Sequence, residues 1–198
     1  MDEPVTVAWP GDPVLEGPGG VRVIGVPGQP DRETARLRIR AALATALAAH
    51  CGIDPDRIGL HSPEGAAPWA TAALDGGERR IALAISHDGD ISVAVFRADG
   101  SAVGIDVSQV VPVPDWEPVA RDYLGPAVTA QLAGLPAAVR DAAFAQAWSE
   151  HEARLKCLGL QLDEWRAERA PALQACRCFP LALQAGYVGY LALAADGA

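Results

Sequence analysis

The chain has 198 residues, of which 50% are hydrophobic and 21% charged, enough for one large globular domain or two lobes that share a core. Its formal net charge of −9 argues against nucleic acid or an anionic membrane surface as the main partner. The start, MDEPVTVAWPG, is acidic and broken by prolines, and the longest uncharged run near the front is too short to span a bilayer, so we expect a soluble, cytoplasmic protein.

The first half of the chain predicts a helix among strands. Apolar residues recur at helical spacing before Gly52, which is expected to end the helix. Residues 62–80 are predicted to be rich in loops, and two β-type runs then flank the turn signal HDGD. The predicted elements in chain order are a strand at 21–26, a helix at 32–51, and strands at 81–86, 91–96 and 101–107.

The second half begins with the proline-punctuated stretch 110–118, which is predicted to connect two halves of the protein. Helical patterns follow at 117–133 and 138–158, and strand-like segments at 173–183 and 187–194. The four cysteines have no tetrahedral zinc spacing, which favours reduced, mostly buried thiols; they are Cys51, Cys157, Cys176 and Cys178.

Three separated segments carry residues suited to phosphate chemistry. Asp106 lies in an apolar strand, where a carboxylate is costly to bury unless it is paired or bound to a cation. Glu152 and Lys156 are one turn apart on a predicted helix, and Ser86-His87 ends a strand. Two carboxylates on rigid elements suit Mg²⁺, and a nearby lysine can balance phosphate charge.

Each of these segments also has an ordinary interpretation when it is taken alone. Asp106 is then a turn former at a strand end, and His87 is a turn residue before Asp-Gly. Glu152 and Lys156 are then a solvated helix pair that contributes about 0.2–0.5 kcal/mol. The order of the segments along the chain distinguishes the two interpretations.

In this order, the segments resemble the 4′-phosphopantetheinyl transferase superfamily, and specifically its monomeric two-lobed (surfactin-synthetase-activating) type, over residues 32–190. That family has a Ser-His turn, then a Gly-Ile-Asp strand, then Trp-Ser-x-Lys-Glu-Ala-x-x-Lys on a helix. The matching segments are Ser86-His87, Gly104-Ile105-Asp106 and Trp148-Ser149-Glu150-His151-Glu152-Ala153-Arg154-Leu155-Lys156. Tyr123 and Phe144 also fall where the family places aromatic residues.

The resemblance implies a fold and a reaction. The expected fold is α/β, more narrowly α+β, with two similar lobes (1–107 and 108–198) related by a pseudo-two-fold and coenzyme A in the cleft between them. The expected reaction transfers the 4′-phosphopantetheine arm of coenzyme A to a serine of an apo acyl or peptidyl carrier protein and releases 3′,5′-ADP. Such carrier proteins serve fatty-acid, polyketide or nonribosomal peptide synthesis.

The resemblance also implies roles for single residues. Mg²⁺ is expected on Asp106 and Glu152, where it bridges the pyrophosphate. Glu152, directly or through a water, is expected to take the proton of the incoming serine, and Lys156 to hold the phosphate under attack. Ser86 and His87 are expected to contact the coenzyme.

Three positions depart from the family pattern. Ser108 replaces a second acid that the family often has after the aspartate, and water is expected to fill that metal position. His151 replaces a lysine; it is either a packed, hydrogen-bonded core histidine or an imidazole that reaches the coenzyme's phosphates. Ala67 also replaces a basic residue.

A stripe of arginines on the first predicted helix offers a replacement for the basic residue missing at Ala67. The stripe repeats every four residues and consists of Arg32, Arg36 and Arg40. These side chains either hold a phosphate of the coenzyme or form a solvated helix face.

Two hypotheses of different classes remain from the sequence. An active transferase is favoured because Asp106, Glu152 and Lys156 are retained together. The alternative is a diverged, non-catalytic family member that binds a carrier protein or coenzyme A, which the missing basic residues favour.

Overall fold

The computed structural model describes residues 3–28, 31–63 and 65–195, and within these ranges the protein is an α+β structure with nine strands and five helices. The strands are β1 (Val5–Thr6), β2 (Val21–Pro27), β3 (Ile58–His61), β4 (Trp69–Leu74), β5 (Gly77–Asp88), β6 (Ile91–Arg97), β7 (Val103–Gln109), β8 (Arg177–Ala182) and β9 (Tyr187–Leu193). The helices are α1 (Arg32–Cys51), α2 (Trp116–Val119), α3 (Pro126–Ala133), α4 (Ala137–Cys157) and α5 (Ala170–Ala175), and a π-helical turn (Ala120–Leu124) joins α2 to α3.

Two sheets pack face to face. One has five strands in the order β2-β6-β5-β4-β3, and the other has four in the order β1-β8-β9-β7. Valine, isoleucine, leucine and phenylalanine side chains from both sheets, among them Val93, Ile105 and Leu191, fill the space between them. Because their burial removes a large apolar area from water, this inter-sheet core is a main source of stability.

Helix α1 covers the outer face of the five-stranded sheet with the fully buried residues Ile39, Leu43 and Leu47. The carboxylate of Asp31 accepts a hydrogen bond from the Thr34 amide (2.8 Å) and caps the first turn. At the other end, Gly52 adopts a φ of 67°, a left-handed conformation that glycine permits at little cost. Both ends of the helix therefore follow from local sequence.

Helix α4 covers the outer face of the four-stranded sheet and crosses β7 at Gly104. A Cβ atom on Gly104 would meet the carbonyl oxygen of Ala153 and lie 2.5 Å from the backbone nitrogen of Cys157. Because side chains alternate along a strand, Gly104 and Asp106 lie on the face toward α4, while Ile105 points into the inter-sheet core. The close approach brings the last two turns of α4 next to Asp106.

The predicted α+β class, the helix at 32–51 and the five strands and strand-like segments at 21–26, 81–86, 91–96, 101–107 and 187–194 are confirmed, with small shifts of their ends. The helix predicted at 138–158 is α4. The helix predicted at 117–133 is divided at Gly125, whose φ is 86° and which precedes Pro126. This break follows from the helix-ending geometry of the Gly-Pro pair.

The prediction of a loop-rich stretch at 62–80 is wrong. Strand β4 and the start of β5 form a hairpin there, in which Leu74 pairs with Gly77. Alanine has a weak intrinsic β preference, so the alternation in WATAAL was not recognised, although Ala70 and Ala72 are fully buried against α1. The segment predicted as a strand at 173–183 also begins in α5, and only its later part forms β8.

The division into lobes at 107/108 stays a prediction, as does the pseudo-two-fold. Strand β7 crosses that boundary and pairs along its length with β9, from Val103 opposite Leu193 to Gln109 opposite Tyr187. Within the described part of the chain, no helix is both long enough and apolar enough to cross a membrane.

Candidate functional site

Three elements bring Ser86, Asp106 and Lys156 into direct contact. The Lys156 ammonium donates to Asp106 Oδ1 at 2.6 Å, and the Ser86 hydroxyl donates to the same oxygen at 2.7 Å. Lys156 Nζ also lies 3.3 Å from Ser86 Oγ. The Asp106 side chain is 8% exposed and that of Lys156 is 30% exposed, so the carboxylate is buried and the ammonium reaches toward solvent. Asp106 therefore has the partner that a buried charge requires.

Glu152 lies one turn before Lys156 on α4 and borders the same cavity. Burial raises the pKa of the Glu152 carboxyl; Lys156 opposes this shift, whereas the negative charge of Asp106 adds to it. Within the described residues, Lys156 forms its ion pair with Asp106, and Glu152 has none. The helix-surface pair considered from the sequence is therefore not the arrangement found.

A cavity of about 400 Å³ is lined by the candidate residues of the three sequence segments and by one arginine of α1. Its polar lining includes Arg32, Ser86, His87, Asp106, Glu152 and Lys156. A pocket of this size, with several converging charged groups, is suited to part of a polyanionic ligand. Eight of the nine candidate residues border this cavity or the one beside it, and His151 is the exception.

His87 points toward α1 while its neighbour Ser86 points toward β7, because adjacent residues of a strand face opposite ways. A second cavity, of about 450 Å³, adjoins the first at His87 and is lined by Arg36 and Arg40 of α1. Burial lowers the pKa of His87, and the positive charges of Arg36, Arg32 and Lys156 lower it further. The ring is therefore neutral at neutral pH.

The three arginines of α1 differ in what they contact. Arg40 donates to Ser62 Oγ at 2.8 Å and to the Leu60 carbonyl at 2.7 Å, which ties it to the end of β3 and to the residue that follows the strand. No ion pair or side-chain hydrogen bond joins Arg32 or Arg36 to another described residue. Within the described part of the chain, Arg32 and Arg36 are therefore the members of the stripe whose guanidinium groups are not engaged by another side chain.

Aromatic residues support the wall of the cavity beside Glu152. Trp148 lies on α4 one turn before Glu152 and borders the cavity. Tyr123 packs edge-on against it with 5.9 Å between ring centroids, and Phe144 stacks on it at 6.1 Å. The aromatic residues singled out in the sequence therefore hold Trp148 in place.

His151 does not join this cluster. Successive residues of an α-helix are rotated by about 100°, so His151 faces away from Asp106 although it precedes Glu152. It borders a separate cavity of about 210 Å³ with Arg154 and Trp165. No hydrogen bond joins its ring to another described residue, so the hydrogen-bonded core histidine is not what the described part of the chain shows, and the contact of His151 with the coenzyme's phosphates stays a prediction.

The stability of the protein should depend on the titration of His151. Burial, and to a lesser degree Arg154, lowers the pKa of His151. The unfolded chain then binds more protons than the folded protein between the two pKa values, so this residue reduces stability as pH falls below about 6.5. We expect His151→Gln to lose less stability than the wild type on acidification, measured by urea unfolding above and below that pH. Parallel losses in the two proteins would contradict the expectation.

The carboxylates at this cavity have the chemistry that a magnesium ion requires of its protein ligands. Asp106 and Glu152 supply oxygen ligands from one strand and one helix, and Mg²⁺ commonly uses one or two carboxylates together with waters and substrate phosphates. Lys156 and Ser86 occupy Asp106 Oδ1, while the contact of Ser108 Oγ with Oδ2 is long, at 3.5 Å. No group of three or more His, Cys, Asp or Glu side chains in the described ranges is arranged to hold a metal ion.

Sequence reasoning missed Ser92 and Asp88. The buried Ser92 hydroxyl lies 2.7 Å from His87 Nδ1, and Asp88 Oδ2 accepts a hydrogen bond of 2.6 Å from the Gln109 amide. The sequence of the hairpin could have predicted the position of Ser92. A two-residue turn at 89–90 places His87 directly opposite Ser92, and this register could have been read from the turn sequence.

Comparison with protein families gives a match over residues 102–196, which correspond to the 4′-phosphopantetheinyl transferase superfamily. The matched part contains β7 with Asp106 and α4 with Glu152 and Lys156. Comparison with curated proteins gave no match.

Proposed function

Because residues 102–196 match the 4′-phosphopantetheinyl transferase superfamily, we propose that the chain belongs to this superfamily and moves the phosphopantetheine arm of coenzyme A onto a serine of an acyl or peptidyl carrier protein, with Mg²⁺ as cofactor. The observation that carries this proposal is the convergence of Asp106, Glu152 and Lys156 in one cavity. We also propose that the enzyme acts as a monomer.

The charges around the two adjoining cavities support coenzyme A as the ligand. The chain as a whole has a net charge of −9, yet the lining of these cavities holds Lys156 and the three arginines of α1 beside three carboxylates, so cations outnumber anions there. Such a local cluster of cations attracts the pyrophosphate and the 3′-phosphate of the coenzyme. In this proposal Lys156 binds the pyrophosphate, and Arg32 and Arg36 bind the nucleotide's phosphates.

The proposed reaction is an attack on phosphorus. The serine oxygen of the carrier protein forms a bond to the phosphorus that bears the pantetheine arm, the bond from that phosphorus to the bridging oxygen breaks, and 3′,5′-ADP leaves. Glu152 takes the serine proton, for which a buried carboxylate with a raised pKa is a stronger base than an exposed one. Lys156 neutralises charge that develops on the phosphate oxygens. A magnesium ion bound by Asp106 and Glu152 would supply further neutralisation of the pyrophosphate.

Transfer can be tested by incubating the protein with coenzyme A, Mg²⁺ and a panel of apo carrier proteins. Intact mass of the carriers should reveal the added phosphopantetheine arm on at least one of them. If coenzyme A binds but no carrier gains mass, the non-catalytic alternative replaces the proposal. A protein that does not bind coenzyme A would contradict both.

The double substitution Arg32→Ala and Arg36→Ala should weaken the binding of coenzyme A more than that of dephospho-coenzyme A. The expected difference is about tenfold or more, because a charge-assisted contact to the 3′-phosphate is lost only with the first ligand. Calorimetric titration of both ligands against wild type and variant measures it.

Arg38→Ala is the matched control, since Arg38 lies on the same helix but donates to the Gly28 carbonyl at 3.0 Å. It should bind both ligands as the wild type does. Equal losses for the two ligands in the double variant would show that the arginine stripe is a solvated face.

A further inference from the structure

Ser92 is a buried polar residue whose hydroxyl contacts the candidate ligand-binding histidine. It lies on β6 directly opposite His87 of β5, and its side chain is completely buried. Its oxygen is 2.7 Å from His87 Nδ1, and His87 is the only hydrogen-bond partner of this hydroxyl among the described residues. The hydroxyl proton therefore has one available acceptor.

This geometry selects one of the two neutral forms of the imidazole. If Nδ1 carried the ring proton, it would donate to Ser92 Oγ and leave the buried hydroxyl proton without an acceptor, which is unfavourable for a group shielded from water. If Nε2 carries the proton, the Ser92 hydroxyl donates to Nδ1, and both groups are satisfied. The buried serine thus favours the Nε2–H tautomer.

His87 borders both cavities, and because Ser92 occupies Nδ1, Nε2 is the ring nitrogen left for a ligand there. A neutral imidazole has a single N–H donor, so its tautomer decides whether it offers a donor or a lone pair to a ligand there. An anionic ligand is stabilised by the donor and repelled by the lone pair.

We propose that Ser92 is a positioning residue that holds His87 as the Nε2–H tautomer, so that Nε2–H donates to a phosphate oxygen of the ligand. The identity of that ligand, coenzyme A, rests on the function proposed above. The tautomer itself is a property of the free protein.

The tautomer can be measured by long-range ¹H–¹⁵N NMR of the free protein at a pH where the ring is neutral. The signals of His87 are assigned by their loss in a His87→Asn variant. We expect Nδ1 in the unprotonated range and Nε2 in the protonated range. A wild-type protein with the proton on Nδ1 would overturn the proposal.

A matched pair of variants tests the role of the hydroxyl. Ser92→Thr and Ser92→Val have nearly the same shape, but only threonine keeps the hydroxyl. The threonine variant should keep the wild-type tautomer and coenzyme A affinity, whereas the valine variant should show a mixture of tautomers and about five- to tenfold weaker binding. Equal affinity and equal tautomer ratios in the two variants would refute the proposal.

The tautomer measured in the wild-type protein tests the proposal even if the added methyl group prevents both variants from folding. It also separates this inference from the proposed function. A wild-type protein that binds no coenzyme A but shows the Nε2–H tautomer refutes the function and supports the role of Ser92. A protein that transfers the arm but carries the neutral His87 proton on Nδ1 supports the function and refutes the role of Ser92.

Discussion

Glu152→Gln should lower the rate of arm transfer by about 100- to 10,000-fold, the usual contribution of a general base. Glutamine keeps the shape of the side chain but cannot accept the serine proton. Burial raises the pKa of Glu152, which means that the ionised carboxylate is unfavourable in the folded protein, so a neutral amide should not reduce stability. Transfer is measured by intact mass of the carrier protein, and stability by urea unfolding.

The titration of Glu152 also determines how the difference in stability between wild type and Glu152→Gln depends on pH. A carboxyl group with a raised pKa in the folded state contributes stability at low pH that is lost as pH rises through that pKa. The glutamine of Glu152→Gln does not titrate, so the variant does not lose this stability as pH rises. Its stability relative to wild type should therefore increase as pH rises from acidic to neutral, and a constant difference would contradict the assigned environment.

Glu150→Gln is the control for these measurements, because Glu150 lies on the same helix and pairs with Arg154 away from the cavity. It should transfer the arm at nearly the wild-type rate. Turnover of Glu152→Gln within about tenfold of wild type would remove Glu152 from the role of base.

Gly104→Ala should destabilise the protein by about 3 kcal/mol and abolish transfer. The added methyl group would collide with the backbone of α4 at Ala153 and Cys157, where no flexible side chain can move aside. Helix α4 must then shift away from β7, which separates Lys156 and Glu152 from Asp106. Urea unfolding and coenzyme A titration measure the two effects.

Gly76→Ala provides the comparison, since a Cβ atom at Gly76 meets nothing within 4 Å and the residue lies in the turn between β4 and β5. It should leave coenzyme A binding and transfer unchanged. Wild-type transfer in Gly104→Ala would show that the close contact of α4 with β7 does not position the site.

Much of the local structure could be predicted because its causes lie close together in the chain. Asp31 and Gly52 set the ends of α1 through a side-chain cap and a left-handed glycine. The turn at 89–90 sets the hairpin of β5 and β6 and places His87 opposite Ser92. Strand β4 was missed for a related reason, since alanines carry little local β signal and are held there by burial under α1.

The order of short motifs in the sequence predicted the family, to which residues 102–196 are matched, and predicted Asp106, Glu152 and Lys156 as site residues, because residue types and their spacing are properties of the chain alone. Which of these groups touch depended on how β5, β7 and α4 pack, and that is set by burial of residues far apart in sequence. Lys156 therefore pairs with Asp106 on β7 and not with Glu152 on its own helix. The direction of His151 and the tie between Arg40 and Ser62 were likewise decided by the tertiary structure, since each depends on which neighbouring element covers that side of the helix.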